Sequence, residues 1–404
     1  MKKFDIPSEF RSTIIGSLKN FRKTKDPRKQ NFEPSEISFG KITFVIPRHF
    51  GFCYGVENAI EISYKAIKEN PGKRIFLLSQ MIHNPAVNED LQSHGIDFIM
   101  DTEGQQLIEW NEVKAEDVVI IPAFGTTIEI ENLLKEKGVE TQRYNTTCPF
   151  VEKVWKRSAE IGKNGYTNII HGKYKHEETR ATFSHSNENS PSLIIRDMKE
   201  AEVLADFITQ KRTQEDFETA FAGKYSKGFD AKKDLSKIGV VNQTTMLATE
   251  TQEIADYLKK VIEGFAGEGA FADTRDTLCY ATNDNQQATL AVLDSGADLA
   301  IVVGGYNSSN TSQLATILSE KMPVYFIKDE SEILSENQIN HFIYKDQALV
   351  TANAWLPAKE NVKIVVTSGA SCPDTVVEEV LRKVLAVSGV DADIQAVLEG
   401  YIQE

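Results

Sequence analysis

From residue 41 onward the chain is paced by short apolar, β-branched runs: Lys41–Pro47, Asp117–Pro122, Thr167–His171, Lys237–Val241, Leu299–Val303 and Lys363–Thr367. None shows the strict apolar/polar alternation of a half-exposed strand. Continuous runs of this length suit strands covered on both faces, as in parallel sheets. Helical patterns lie between them, at Val56–Lys68, Val151–Ile161, Gln286–Leu293, Ser312–Glu320 and Thr375–Leu385, several closed by Gly or Pro-Gly. The alternation predicts an α/β fold with short right-handed crossovers.

The segments that follow the strands read RHFGFCYGV, AFGTT, HGKYKHEET, NQTT, GGYNSSNTS and SGASCPD. Glycines, hydroxyls, amides, His and Cys gather there, at the carboxyl ends of strands and the amino ends of helices. That edge of an open α/β sheet is where ligands bind, and helix starts offer free N–H groups to anions. Turn formation alone does not call for six such loops.

A chain of 404 residues exceeds one ordinary domain. The cysteines at 53, 148, 279 and 372 fall at intervals of 95, 131 and 93 residues and divide it into similar parts. The expected organisation is a basic extension over 1–40, an α/β unit over 41–148 holding the first strand and Cys53, a second over 149–278 with a polar insert at about 211–234, a third over 279–385, and a tail over 386–404. The extension carries nine Lys/Arg against five Asp/Glu.

Composition narrows the partners. Lys+Arg 45 against Asp+Glu 59 gives a net charge of -14, a surface that repels phosphodiester backbones, so nucleic acid is excluded as a general partner. An anionic substrate would have to be held by local donors against that field. No apolar run reaches the roughly 18 residues of a membrane span, and four scattered cysteines suit a reduced compartment, so a cytoplasmic protein is expected.

Cys148 precedes Pro149 and a helical pattern, which predicts an N-cap where the helix dipole favours thiolate. Cys279 lies shortly before another helix, and Cys53 sits in a glycine-flanked loop. A single such cysteine reads as a small buried apolar residue. Three in ligand-bearing loops suit an iron–sulfur cluster, which commonly takes four thiolates; three would leave one iron open. Spacing alone leaves Cys372, also before a Pro, as a possible fourth. His176 and Glu178 stand two apart, a spacing that aims both to one side of an extended backbone, a donor beside an acid/base; a solvated helix start gives the same pattern. His83 reads as a donor or an ordinary loop histidine. Ser308, Ser309 and Asn310 read as a phosphate cradle or an N-cap cluster, and Gln243, Thr244 and Thr245 are equally two-sided.

Taken in order, GFCYGV, HNP, TTCP, HEET, QTT, LCYAT, NSSN and GAS-x-PD resemble the 4-hydroxy-3-methylbut-2-enyl diphosphate reductase (IspH or LytB) family over about residues 41–385. HGKYKHEET and PAFG are similar to its longer plant and cyanobacterial-type branch. The resemblance implies three α/β units arranged as a trefoil around a central [4Fe–4S] cluster, with Cys53, Cys148 and Cys279 as ligands and Cys372 as a bystander beside the diphosphate-binding Ser371. It implies reductive removal of the substrate's allylic hydroxyl, the last step of the methylerythritol phosphate pathway, giving isopentenyl and dimethylallyl diphosphate. Glu178 matches the proton-delivering glutamate, Thr244 the threonine near the substrate hydroxyl, and His83, His176, Ser308, Asn310 and Ser371 the diphosphate pocket, with Gln243, Thr245 and Ser309 beside them. Phe124 departs from the histidine of many bacterial members, so one phosphate contact is lost or is supplied by Thr126, Thr127 or a backbone N–H. A ferredoxin- or flavodoxin-type protein is the expected electron donor. Two rival readings are a non-catalytic iron–sulfur sensor or carrier and a metal-free phosphate-ligand binding module.

Overall fold

The structure, a computed structural model, describes residues 4–28, 30–272 and 277–403. Met1, Lys2, Lys3 and Lys29 of the expected extension lie outside the described residues. The chain forms two compact units, one of residues 1–57, 83–88 and 280–404, the other of 58–82 and 89–279.

In the first unit a five-stranded sheet runs in the order Ser35–Ser38, Ile42–Ile46, Val362–Ser368, Leu299–Val303, Val324–Ile327. The first pair is antiparallel and the remaining pairs are parallel. The strand expected to open the 41–148 unit therefore belongs here: Ile42 lies opposite Val362 and Val45 opposite Val365. A β-branched run dictates burial in a sheet but not the strand it will pair with, and this partner lies some 320 residues away. A separate antiparallel hairpin joins Gln338–Ile343 to Ala348–Asn353.

The basic stretch read as an extension is a packed element of this unit. Helix Thr13–Lys25 is capped by Ser12, whose hydroxyl accepts from the N–H of Ile15 at 2.8 Å. Its apolar positions Ile14, Ile15 and Leu18 recur at i, i+1 and i+4 and join the core formed by Phe44, Ile301, Ile364, Val377 and Leu381. Lys and Arg occupy much of the rest of the helix, which is why its composition reads as polar.

The second unit holds two parallel three-stranded sheets. One has the order Ile96–Phe98, Ile75–Leu77, Val118–Ile120; the other Ser192–Ile195, Thr167–His171, Ile238–Asn242. The polar insert is built around a core of its own. Phe217, Phe221 and Phe229 are buried beside Phe207, with Phe217 and Phe229 stacked at 4.9 Å, and short helices at Gln214–Ala220 and Ala231–Asp234 carry the charges outward.

All six predicted runs are strands, and the five predicted helices form with shifted ends. The largest shift is at the third, which begins at Tyr280, directly after Cys279, and ends at Leu290. Its first turns carry Thr282, Asn285 and Gln286, all buried, so polarity there marks an interior face and hid the helix from a hydrophobic-period search.

Candidate functional site

In the second unit, strand Thr167–His171 leads through HGKYK into helix Glu177–Asn187. His176 is the N-cap, in extended conformation, and its Nδ1 accepts from the backbone N–H of Glu178 at 3.2 Å. The two side chains expected to share a site are thus linked through the helix start, and both are buried, at 8% and 1% exposure, which removes the solvated alternative. Phe124 meets the His176 ring edge-on at 5.5 Å. It supplies an apolar wall for that imidazole, a role different from phosphate donation.

Glu178 is held from the neighbouring strand end. Thr244 donates its N–H to Oε1 at 2.5 Å and its hydroxyl to Oε2 at 3.0 Å. Burial raises the carboxyl to about 7, and the Thr244 bonds pull the other way without restoring the ordinary value. The adjacent Glu177, also buried, accepts instead from the Ser79 hydroxyl. Gln243 is fixed on both ends of its amide: Oε1 accepts from Lys173 N–H at 3.0 Å and the Thr179 hydroxyl at 3.1 Å, and Nε2 donates to Thr245 at 2.7 Å. Gln243 therefore braces the loop, while Thr245 is drawn toward it.

Cys148 is the N-cap of helix Pro149–Lys163, with Pro149 at the first position. The thiolate preference expected from that placement is overridden. Desolvation pushes the thiol up to about 12, and the nearby Cys279 and Glu178 push the same way against the N–H groups of Phe150 and Val151. Cys148, Cys279 and Glu178 therefore share one electrostatic neighbourhood.

In the first unit, Ser308 caps helix Ser309–Leu318, its hydroxyl accepting from the N–H of Thr311 at 3.3 Å and from the Thr311 hydroxyl at 2.9 Å. Asn310 Oδ1 accepts from Ala370 N–H at 2.9 Å, which fixes the amide orientation, and Asn310 Nδ2 is left buried without a partner. Ser371 donates to the carbonyl of His83 at 3.1 Å, so the GAS turn and the HNP turn meet. Gly369 lets the GAS turn lie against the start of helix Ser309–Leu318: a Cβ there would lie 2.0 Å from Thr311 Oγ1. The sequence reading missed Asn285, buried and 3.4 Å from Asn310 Oδ1; its signal was the amide-rich run after Cys279.

Cys53 lies in this unit, half-buried, with its N–H donating to Ala370 at 3.2 Å. Cys372 does not repeat the geometry of Cys148. Its helix is capped by Pro373 and begins at Asp374, so Cys372 stands one residue outside the cap, fully buried in the apolar core. Burial raises its thiol strongly. All four thiols are free of disulfides. Among the described residues no three His, Cys, Asp or Glu side chains converge on a single ion. Cysteines of a cluster need not, since each sulfur binds a different iron.

Comparison with known proteins gives the same direction: residues 44–385 match the LytB protein family. The chain belongs to the LytB family. Its LytB relatives include proteins named 4-hydroxy-3-methylbut-2-enyl diphosphate reductase from Trichormus variabilis, 39% identical over 391 residues (96% of this chain and 92% of that protein), and from Picosynechococcus, 38% identical over 383 residues (94% and 90%). Among solved structures, the E-1-hydroxy-2-methyl-but-2-enyl-4-diphosphate reductase of Plasmodium falciparum matches with a TM-score of 0.62 at 21% identity, covering 88% of this chain and 90% of that one. A second LytB-type reductase structure gives 0.51 at 23% identity, covering 85% and 99%. The shared fold is α/β with small, mostly parallel sheets. Among the described residues no helix is long and apolar enough to cross a membrane.

Proposed function

We propose that this protein is a 4-hydroxy-3-methylbut-2-enyl diphosphate reductase. It removes the allylic hydroxyl as water, consuming two electrons and two protons, and releases isopentenyl and dimethylallyl diphosphate at the end of the methylerythritol phosphate pathway. The observation that carries this reading is the Glu178–Thr244 pair. A buried carboxyl raised to about 7 holds a proton near neutral pH, as a general acid must. The Thr244 hydroxyl beside it can orient the departing oxygen and hand that proton on.

The diphosphate is held by neutral donors. Ser308, Ser309, Asn310, Ser371 and His83 supply hydroxyl, amide and imidazole groups, and the start of helix Ser309–Leu318 adds the positive end of its dipole. The buried Nδ2 of Asn310, with no protein acceptor, is a donor suited to a substrate oxygen, because a buried donor without an acceptor costs free energy that an anion would return. His176, held by Phe124 and by Glu178 N–H, is a further imidazole for the substrate.

The donor chemistry fits an iron–sulfur group: three cysteines in no disulfide, each at a loop or helix start, with Cys148 and Cys279 in mutual electrostatic contact. Cys53, Cys148 and Cys279 would hold a [4Fe–4S] cluster, and Cys372 would not. When bound, such a cluster supplies electrons singly and leaves one iron open to the substrate. Electrons would come from a ferredoxin- or flavodoxin-type donor.

The test is Glu178→Gln in anaerobically prepared protein. Turnover should fall by roughly 10²–10⁴-fold while iron-dependent visible absorption is kept. Undiminished turnover would overturn the proton role, and a non-catalytic sensor would show no turnover even in the parent protein.

A further inference from the structure

We propose that residues 4–19 clamp the loop carrying Cys53, making Phe4, Phe10 and Lys19 positioning residues for that sulfur. Both sequence neighbours of Cys53 are met edge-on by rings from this segment: Phe10 on Phe52 at 6.2 Å and Phe4 on Tyr54 at 5.0 Å. Phe4 and Phe10 are each 5% exposed, so both rings are packed down in the fold and not lying loose on its surface. Lys19 closes the contact from the other end. Its Nζ stands 4.5 Å from the Phe50 ring centroid and 2.6 Å from Asp374 Oδ1.

The fit leaves no slack. Gly51 has φ +73, and a Cβ there would lie 2.8 Å from Lys19 Nζ and 2.7 Å from Asp374 Oδ1. The segment is itself anchored to helix Asp374–Val387: Thr375 donates to the carbonyl of Glu9 at 2.7 Å, and Ser12 donates to Glu378 at 2.5 Å. On its far side the loop is tied by Cys53 N–H to Ala370. Gly51, in the left-handed region, gives the loop backbone freedom just before helix Tyr54–Glu69, and contacts from outside order it. Cys53 and Cys148 both directly precede a helix and both donate their N–H across to a carbonyl, but only Cys148 has a proline to stiffen the helix start, at Pro149.

The clamp rests on the cluster reading only for its consequence, so the experiment separates the two. In full-length, cluster-free F4A/F10A protein, alkylation of Cys53 followed by mass spectrometry should accelerate about five- to tenfold relative to Cys148. After reconstitution the same variant should lose iron to a chelator faster by a similar factor. Lys19→Gln, a milder change at a half-exposed position, should raise the Cys53 rate alone by about two- to threefold and carries the test if the double variant does not fold. Cys53 reactivity that stays at the parent rate, or rises in step with Cys148, overturns the clamp. A parent protein that takes up no iron overturns the cluster reading instead, and leaves the alkylation result to judge the clamp.

Discussion

Thr244 closes two hydrogen bonds onto the Glu178 carboxylate, one from its backbone N–H and one from its hydroxyl, across 66 residues of sequence. The backbone bond survives substitution and the hydroxyl bond does not, so the pair can be dissected. Thr244→Val should lower turnover roughly 10- to 100-fold, the loss of one hydrogen bond to a charged or reacting group, while Thr244→Ser keeps most of it. Steady-state rates for the two variants at equal iron content check this.

The cysteines predict a clean division. Alanine at Cys53, Cys148 or Cys279 should abolish iron-dependent absorption. Cys372→Ala should keep it and lower stability by about 1 kcal/mol, because Cys372 packs as a small apolar residue in the core. Iron content and urea midpoints of the four variants decide the matter.

Asn310 joins the GAS turn through Ala370 N–H and has a free buried donor on its other side. Asn310→Ala removes both and leaves that N–H unsatisfied. KM for the diphosphate substrate should rise about tenfold or more, with a smaller fall in kcat. A change confined to kcat would show that the residue acts on the chemistry.

His171 predicts a pH effect on stability. Burial lowers its imidazole to about 4, with Nδ1 on the Thr251 hydroxyl and Nε2 unpartnered. The unfolded chain binds this proton near pH 6.5 and the folded one near 4, so stability is intact above 6.5 and is lost as pH falls between those values. The loss is about 3 kcal/mol for this one group. Denaturant midpoints of the parent should drop over that window, and His171→Leu should flatten the drop.

The insert makes a further prediction. Phe217 is fully buried and stacked on Phe229, so Phe217→Ala should cost about 3–5 kcal/mol, an effect no solvated insert would give. Thermal unfolding of the second unit measures it.

Much of the fold is legible because burial on both faces leaves a mark that survives in one dimension: runs such as LAIVV and KIVVT have few other uses. Of the strands that escaped notice, Ile75–Leu77 and Ile96–Phe98 are three residues long and Ser35–Ser38, Ser192–Ile195 and Val324–Ile327 four, too short to carry a period. The hairpin at 338–353 has only one buried position, Ile339, and its second strand alternates half-buried with exposed residues, so it carries no apolar run. The helix after Cys279 buries amides and a hydroxyl, which inverts the pattern that marks a helix.

Sequence by itself determined the residue types: glycine, hydroxyl, amide, imidazole and thiol groups at strand ends, in an order that resembles one family. Those identities follow from chemistry, and chemistry is written residue by residue. Tertiary structure alone decided that strand Ile42–Ile46 pairs with Val362–Ser368, that Glu178 is dry enough to be raised to about 7, and that the N-terminal segment lies against the Cys53 loop. Pairing, desolvation and contact depend on what surrounds a residue in space, and here the partners come from up to 366 positions away, as with Ser12 and Glu378.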